Sequence, residues 1–158
     1  MTAKKIGMYQ TFAQIIEKTE LSTLLPHKGK MFLLDRVTAW DCEAWTLESE
    51  TVLDESFMFY DARSSGIPAW AVFELMAQSV SALTSIDARI HGLPTNMGMI
   101  LSVTAMHFEQ PLLAAGSTAI VRVHRDAAVD NVYSFSGIVY VGGAECAHGK
   151  ITVMEKTD

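Results

Sequence analysis

Cysteine is scarce in this chain, with Cys42 and Cys146 the only two in 158 residues. They lie far apart and form no C-x-x-C, which excludes a disulfide framework and a zinc knuckle and fits a reducing cytoplasm. Basic residues are also few, 12 against 18 acidic, leaving a formal charge of −6. A general nucleic-acid binder would want a basic face, so that class is set aside. No repeat and no low-complexity linker interrupts the chain, and its length suits one domain over 1–158. Met1 to Ile6 carries two lysines but no apolar run follows, so no secretory signal is expected. No His/Cys/Asp/Glu group has metal-ligand spacing, so neither metal nor cofactor is expected. Histidine is missing altogether from Met31 to Ile90. Between Arg63 and Asp87 there is one charged residue, Glu74.

What is present is largely apolar, 49% of the residues, enough for a large core or a subunit interface. The segment from Gly66 to Ser85 reads as a long buried helix. Pro68 suits its first turn, and Gly92-Leu93-Pro94 stops it near His91. It approaches the length of a membrane span, but Glu74, Gln78 and its serines favour a buried soluble helix. A carboxylate in such a wall is costly unless something uses it, and desolvation would raise its pKa toward general acid–base work.

Helical spacing of Phe12, Ile15 and Ile16 predicts a helix over Tyr9 to Glu20, part of an N-terminal helical extension over 1–23. Pro26-His27-Lys28-Gly29-Lys30 breaks the chain into a loop. Met31 to Trp40 and Ala44 to Val52, alternating around Trp45, Leu47 and Val52, predict a hairpin. Asp54 to Ile67 is irregular. Four more strands are expected at Met97–Glu109, Thr118–Arg125, Val132–Val141 and Ala144–Met154, with a turn at Asp130-Asn131. A hairpin, one long apolar helix and a meander predict an α+β fold, a curved antiparallel sheet wrapped around a central helix.

Three motifs carry a resemblance. Leu24-Leu25-Pro26-His27-Lys28-Gly29-Lys30-Met31-Phe32-Leu33-Leu34-Asp35-Arg36-Val37 resembles the opening motif of the hotdog-fold 3-hydroxyacyl-[acyl-carrier-protein] dehydratases. Pro68-Ala69-Trp70-Ala71-Val72-Phe73-Glu74-Leu75-Met76-Ala77-Gln78 resembles their central-helix motif. Met106-His107-Phe108-Glu109-Gln110-Pro111-Leu112 with Gly116 resembles the later strand and turn. The variant Ile67-Pro68-Ala69-Trp70 is similar to the dehydratase-like branch of aryl-polyene-type lipid clusters. The resemblance implies a hotdog fold, a dimer with sites at the interface, and an acyl-carrier-protein or coenzyme A thioester as substrate. It implies a histidine that takes the α-proton and a helix carboxylate, here Glu74, that protonates the leaving hydroxyl. The product is a trans-2-enoyl thioester in fatty-acid or polyene-type synthesis. Backbone N–H groups at the helix start, here of Ala69 and Trp70, hold the thioester oxygen; first-turn amides and the helix dipole suit that task.

The family's histidine lies fourteen residues before the helix carboxylate, where this chain has Tyr60 followed by Asp61. Three routes remain open. Asp61 or Tyr60 replaces the histidine; another histidine reaches the site by folding or from a partner; or the chain is a subunit working beside a His-bearing paralogue. A homodimer, a heterodimer with that paralogue and a higher oligomer all fit. Gln78, one turn after Glu74, either lines the site or serves the backbone, and His27 is expected as a site neighbour. Tyr60 either donates to substrate or packs. His107, His124 and His148 are expected at ordinary strand positions. Lys28, Lys30, Arg36, Arg122 and Arg125 are candidates for greeting an acidic carrier, against plain solvated charge. Met58, Met76, Met97, Met99 and Met106 either line an acyl tunnel or fill core. The competing functions are a hotdog acyl thioesterase using Glu74 and a non-catalytic partner of an active dehydratase.

Overall fold

A computed structural model describes residues 11–95 and 97–156. In chain order these form β1 (Ile16–Glu17), α1 (Lys18–Leu21), β2 (Arg36–Asp41), β3 (Thr46–Leu53), β4 (Gly66–Pro68), α2 (Val72–Ile90), β5 (Gly98–Phe108), β6 (Leu112–Ala114), β7 (Ser117–Val129), β8 (Val132–Val141) and β9 (Ala144–Glu155). Seven strands make one antiparallel sheet in the order β1-β2-β3-β7-β8-β9-β5, and β4 pairs separately with β6. The sheet is bent by register shifts in β2/β3, β5/β9, β7/β8 and β8/β9, each of which adds local twist. Its inner face closes on α2, which packs against β3, β7 and β8. This is the α+β hotdog arrangement.

Periodicity explains the pairing of layers. Val72, Leu75, Met76, Val80, Leu83 and Ile86 form the buried stripe of α2. They meet residues on the inward face of the sheet, at even spacing along each strand: Val121 and Val123 of β7, Phe135 and Val139 of β8, and Ile151 of β9. Gly137 lies beneath the helix, where a Cβ would press on the terminal methyl of Met76 and make that flexible side chain shift. The buried Ser49 and Ser79 hydroxyls join across the layer in a 2.8 Å hydrogen bond.

Three expectations change. The helix expected over Tyr9 to Glu20 shrinks to Lys18–Leu21, with Tyr9 and Gln10 outside the described residues. Ile16 is buried while Ile15 is exposed, which is the alternation of an extended segment. Ile16 indeed pairs with Val37, and the Trp40 indole N–H ties the segment down at the Ala13 carbonyl. The strand expected from Met31 begins only at Arg36, since Gln78 takes the backbone groups of Met31 and Leu33. In β3 the buried positions are Leu47, Ser49, Thr51 and Leu53, so Val52 faces outward.

The start of α2 is fixed from two sides. Gly66, Ile67 and Pro68 pair with Ala114, Leu113 and Leu112, and a Cβ on Gly66 would lie 2.6 Å from the Leu113 carbonyl. Pro68 stays extended and a 3-10 turn, Ala69–Ala71, leads into the helix.

Candidate functional site

Glu74 lies in the first turn of α2, where the positive end of the helix dipole favours a negative charge. It is not sealed in an apolar wall: its side chain keeps 27% of its exposure and faces a cavity of about 700 Å³. The cavity runs beside α2 along Ala77, Ser81, Thr84 and Ala88, four small residues at helical spacing. From Glu74 to Ala88 the helix covers about 20 Å at 1.5 Å per residue. Leu24, Leu25, Pro26 and His27 close one side, and Met97, Gly98 and Ile100 border the other.

The site is assembled by two segments distant in sequence. Leu24 and Leu25 are buried and anchor the loop that carries His27. Lys28 stiffens it by donating to the carbonyls of Ser22 at 2.9 Å and Leu25 at 3.3 Å. Gly29, at φ +59°, turns the chain into a 3-10 turn over Gly29–Met31. Gln78 then clamps the segment to α2. Its Oε1 accepts the Leu33 N–H at 3.0 Å, and its Nε2 donates to the Met31 carbonyl at 2.7 Å. The same Nε2 donates to Glu74 Oε1 at 3.1 Å. His27 Nε2 lies 3.6 Å from that oxygen.

The other expected site residues fall differently. Asp61 spends both carboxylate oxygens on its own turn, accepting the Arg63 N–H at 3.0 Å and the Ser64 hydroxyl at 2.9 Å. It does not line the Glu74 cavity, and neither does Tyr60, which packs against the core. The Ala69 N–H donates to the Pro111 carbonyl at 2.9 Å, so it is engaged and only Trp70 of the two expected amides remains a candidate. The Trp70 indole is exposed and meets Phe59 edge to face at 5.2 Å.

Of the candidate basic residues, Arg36 pairs with Glu17 and Glu50, and Arg122 pairs with Glu48. Arg125 stacks 3.6 Å above the Trp45 ring. Met76 is core, whereas Met97 borders the cavity and Met99 is exposed on β5. His107, His124 and His148 each pair with a nearby carboxylate, those of Glu109, Asp126 and Glu145. Among the described residues no group of three or more His, Cys, Asp or Glu could hold a metal, and no helix is long and apolar enough to cross a membrane.

Sequence reasoning missed the far end of the cavity. Trp45, Asp87, Arg125, Tyr133 and Glu155 gather there. Trp45 adopts φ +55°, strained for a bulky residue, and the Tyr133 hydroxyl donates to Glu155 at 3.3 Å. Burial raises the Asp87 carboxyl above the usual range, against the pull of His91 and Arg125. The row Ala77, Ser81, Thr84, Ala88 was the readable signal for a groove. What lies at its end depends on sheet pairing.

A helix-borne carboxylate at the mouth of a groove along a hotdog helix narrows the choice of family. Residues 19–158 match the family described as ApeP-like, ApeP dehydratase. The chain belongs to the ApeP-like dehydratase family. Relatives of this family member include the 3-hydroxyacyl-[acyl-carrier-protein] dehydratases FabZ of Histophilus somni and Rickettsia akari. The first is 25% identical over 145 residues, covering 90% of this chain and 93% of the relative. The second is 28% identical over 144 residues, covering 90% and 97%. Among solved structures, the dehydratase heterocomplex ApeI:P from Xenorhabdus doucetiae aligns with TM-score 0.78 at 18% identity, over 87% of this chain and 91% of that one. A hypothetical thioesterase with coenzyme A from Streptococcus pneumoniae aligns with TM-score 0.60 at 8% identity, over 77% and 85%. Both likenesses are of fold.

Proposed function

We propose that this chain is a subunit of a 3-hydroxyacyl-thioester dehydratase, acting on a carrier-protein or coenzyme A thioester in fatty-acid or polyene-type lipid synthesis. The observation that carries the reading is Glu74, held at one oxygen beside a groove long enough for an acyl chain. A base removes the proton on the α-carbon, the electron pair forms the α–β double bond, and the β-carbon–oxygen bond breaks. The Glu74 carboxyl protonates the departing hydroxyl, giving water and the trans-2-enoyl thioester. The first-turn amide of Trp70 and the helix dipole receive the charge that develops on the thioester oxygen.

The α-proton base comes from a second chain. Asp61 is engaged in its own turn, which disfavours a homodimer whose subunits would exchange only Asp61 and Tyr60. A His-bearing paralogue supplies what is lacking, and the heterocomplex to which the fold is similar makes that pairing natural. The surface that accepts it is β5. This eleven-residue strand lies at a sheet edge and exposes Met99, Ile100, Leu101 and Val103, with the exposed Met97 just before it. A long apolar edge strand offers unpaired backbone groups and apolar area together, which is how chains pair.

The test is to purify the chain alone and together with a His-bearing hotdog paralogue, then follow enoyl formation and free-thiol release from a 3-hydroxyacyl thioester. Dehydration by the pair, lost on Glu74→Gln and on Leu101→Lys in β5, is the expected result. Full activity of the isolated chain that survives Glu74→Gln would overturn it. Thiol release without enoyl product would instead make the chain a thioesterase with Glu74 as base or nucleophile.

A further inference from the structure

His27 is the one histidine that the fold brings to Glu74, and its two ring nitrogens have separate fates. Nε2 faces Glu74 Oε1 at 3.6 Å. Nδ1 is buried and has no hydrogen-bond partner among the described residues. A substrate in the groove therefore meets neither a free Nδ1 nor an unobstructed Nε2. A base for the α-proton needs a nitrogen within hydrogen-bond reach of that proton, and His27 has none to offer.

We propose that His27 is a positioning residue for Glu74: as a neutral imidazole protonated at Nε2, it joins Gln78 in holding Oε1, so that Oε2 alone faces the substrate and carries the transferable proton. This rests on the reading of Glu74 as the dehydrating acid. The tautomer follows from Nδ1. A buried N–H without an acceptor is less tolerable than a buried bare acceptor, so the ring proton sits on Nε2. An imidazolium would strand the same Nδ1–H.

Gln78 fixes the rest of the geometry. Its amide orientation is set by the Leu33 N–H at Oε1 and the Met31 carbonyl at Nε2, so Nε2 is the donor that reaches Glu74. Oε1 thus faces two donors, whereas Oε2 has no partner among the described residues. At 3.6 Å the His27 approach is a contact rather than a hydrogen bond. Contacts of this kind tighten when substrate closes a site.

Two measurements decide the matter. In the reconstituted pair, His27→Ala lowers kcat about 10- to 100-fold with KM nearly unchanged, the loss of a hydrogen bond to a catalytic carboxyl. His27→Gln, whose Nε2 donor reaches the same place but which cannot act as a base, restores the rate to within about threefold of wild type. In the isolated full chain, nitrogen-15 NMR of His27 at neutral pH shows Nε2 protonated and Nδ1 bare. A Gln variant as slow as the Ala variant, an unchanged rate in the Ala variant, or a proton on Nδ1 would each overturn the proposal. A wild-type pair without any dehydration defeats the dehydratase reading instead, and the NMR result still decides the role of His27.

Discussion

The two ends of α2 each present a carboxyl group to the same cavity, and they are treated differently. Glu74, in the first turn, sits where the dipole welcomes negative charge and is held by Gln78 with His27 alongside. Asp87, near the other end, sits where the dipole resists it, and burial raises its pKa. His91, whose own side chain is exposed, approaches the Asp87 carboxylate at 3.3 Å. The first end is built with donors aimed at one oxygen. The second is a carboxyl tolerated in a wall. A groove with a carboxyl held by Gln78 at one end and one raised by burial at the other is asymmetric, and the proposed chemistry falls at the Glu74 end.

That contrast can be broken by substitution. Glu74→Gln keeps shape and hydrogen-bonding capacity but cannot give up a proton. In the assembled pair it should lower kcat about 10²- to 10⁴-fold, the range for losing a general acid, while thermal unfolding stays within a few degrees. An equal loss on Asp87→Asn would dissolve the distinction between the two ends. Gln78→Leu comes next. It leaves the Leu33 N–H and the Met31 carbonyl without their partner, which should cost about 2–4 kcal/mol of stability. Denaturant unfolding should register that loss, and activity should fall with it because the His27 loop is no longer fixed. Wild-type stability in this variant would show that the loop is held by Leu24 and Leu25 alone.

How far the sequence carried depended on the range of each signal. Val132–Val141 and the turn at Asp130-Asn131 were readable because hairpin signals are local, and Asp130 does take a positive φ of 54°. The long helix was readable from Pro68 to the Gly92 stop for the same reason. Glu74 was found, but its surroundings were misjudged. Apolar periodicity says that a helix is covered on most sides without saying which side the sheet of one chain leaves open. His27 and Gln78 illustrate the harder case. Their roles rest on a loop folding back onto the helix, and only tertiary structure brings Met31, Leu33 and Glu74 to one amide. Asp61 was drawn in by its place next to the missing histidine. The competing signal was in view, since an Asp with Ser three residues later favours a side-chain-closed turn, as found.

Asp87 supplies the finest test of the comparison. A carboxyl whose folded pKa is raised binds its proton more tightly folded than unfolded, so ionising it costs stability. That cost is absent below the unfolded value of about 3.9, grows as pH rises through the raised folded value, and is complete above it. Asp87→Asn removes the ionisation altogether. It should therefore raise Tm at neutral pH, by about 1–2 °C for a chain of this size, and the gain should vanish near pH 3. Thermal melts of both proteins across that pH range read the difference directly. A lower Tm for the Asn variant at neutral pH would mean that attraction from His91 and Arg125 outweighs burial. Asp87 would then be a supported charge like Glu74, and the far end of the groove would have to be read as a second built site.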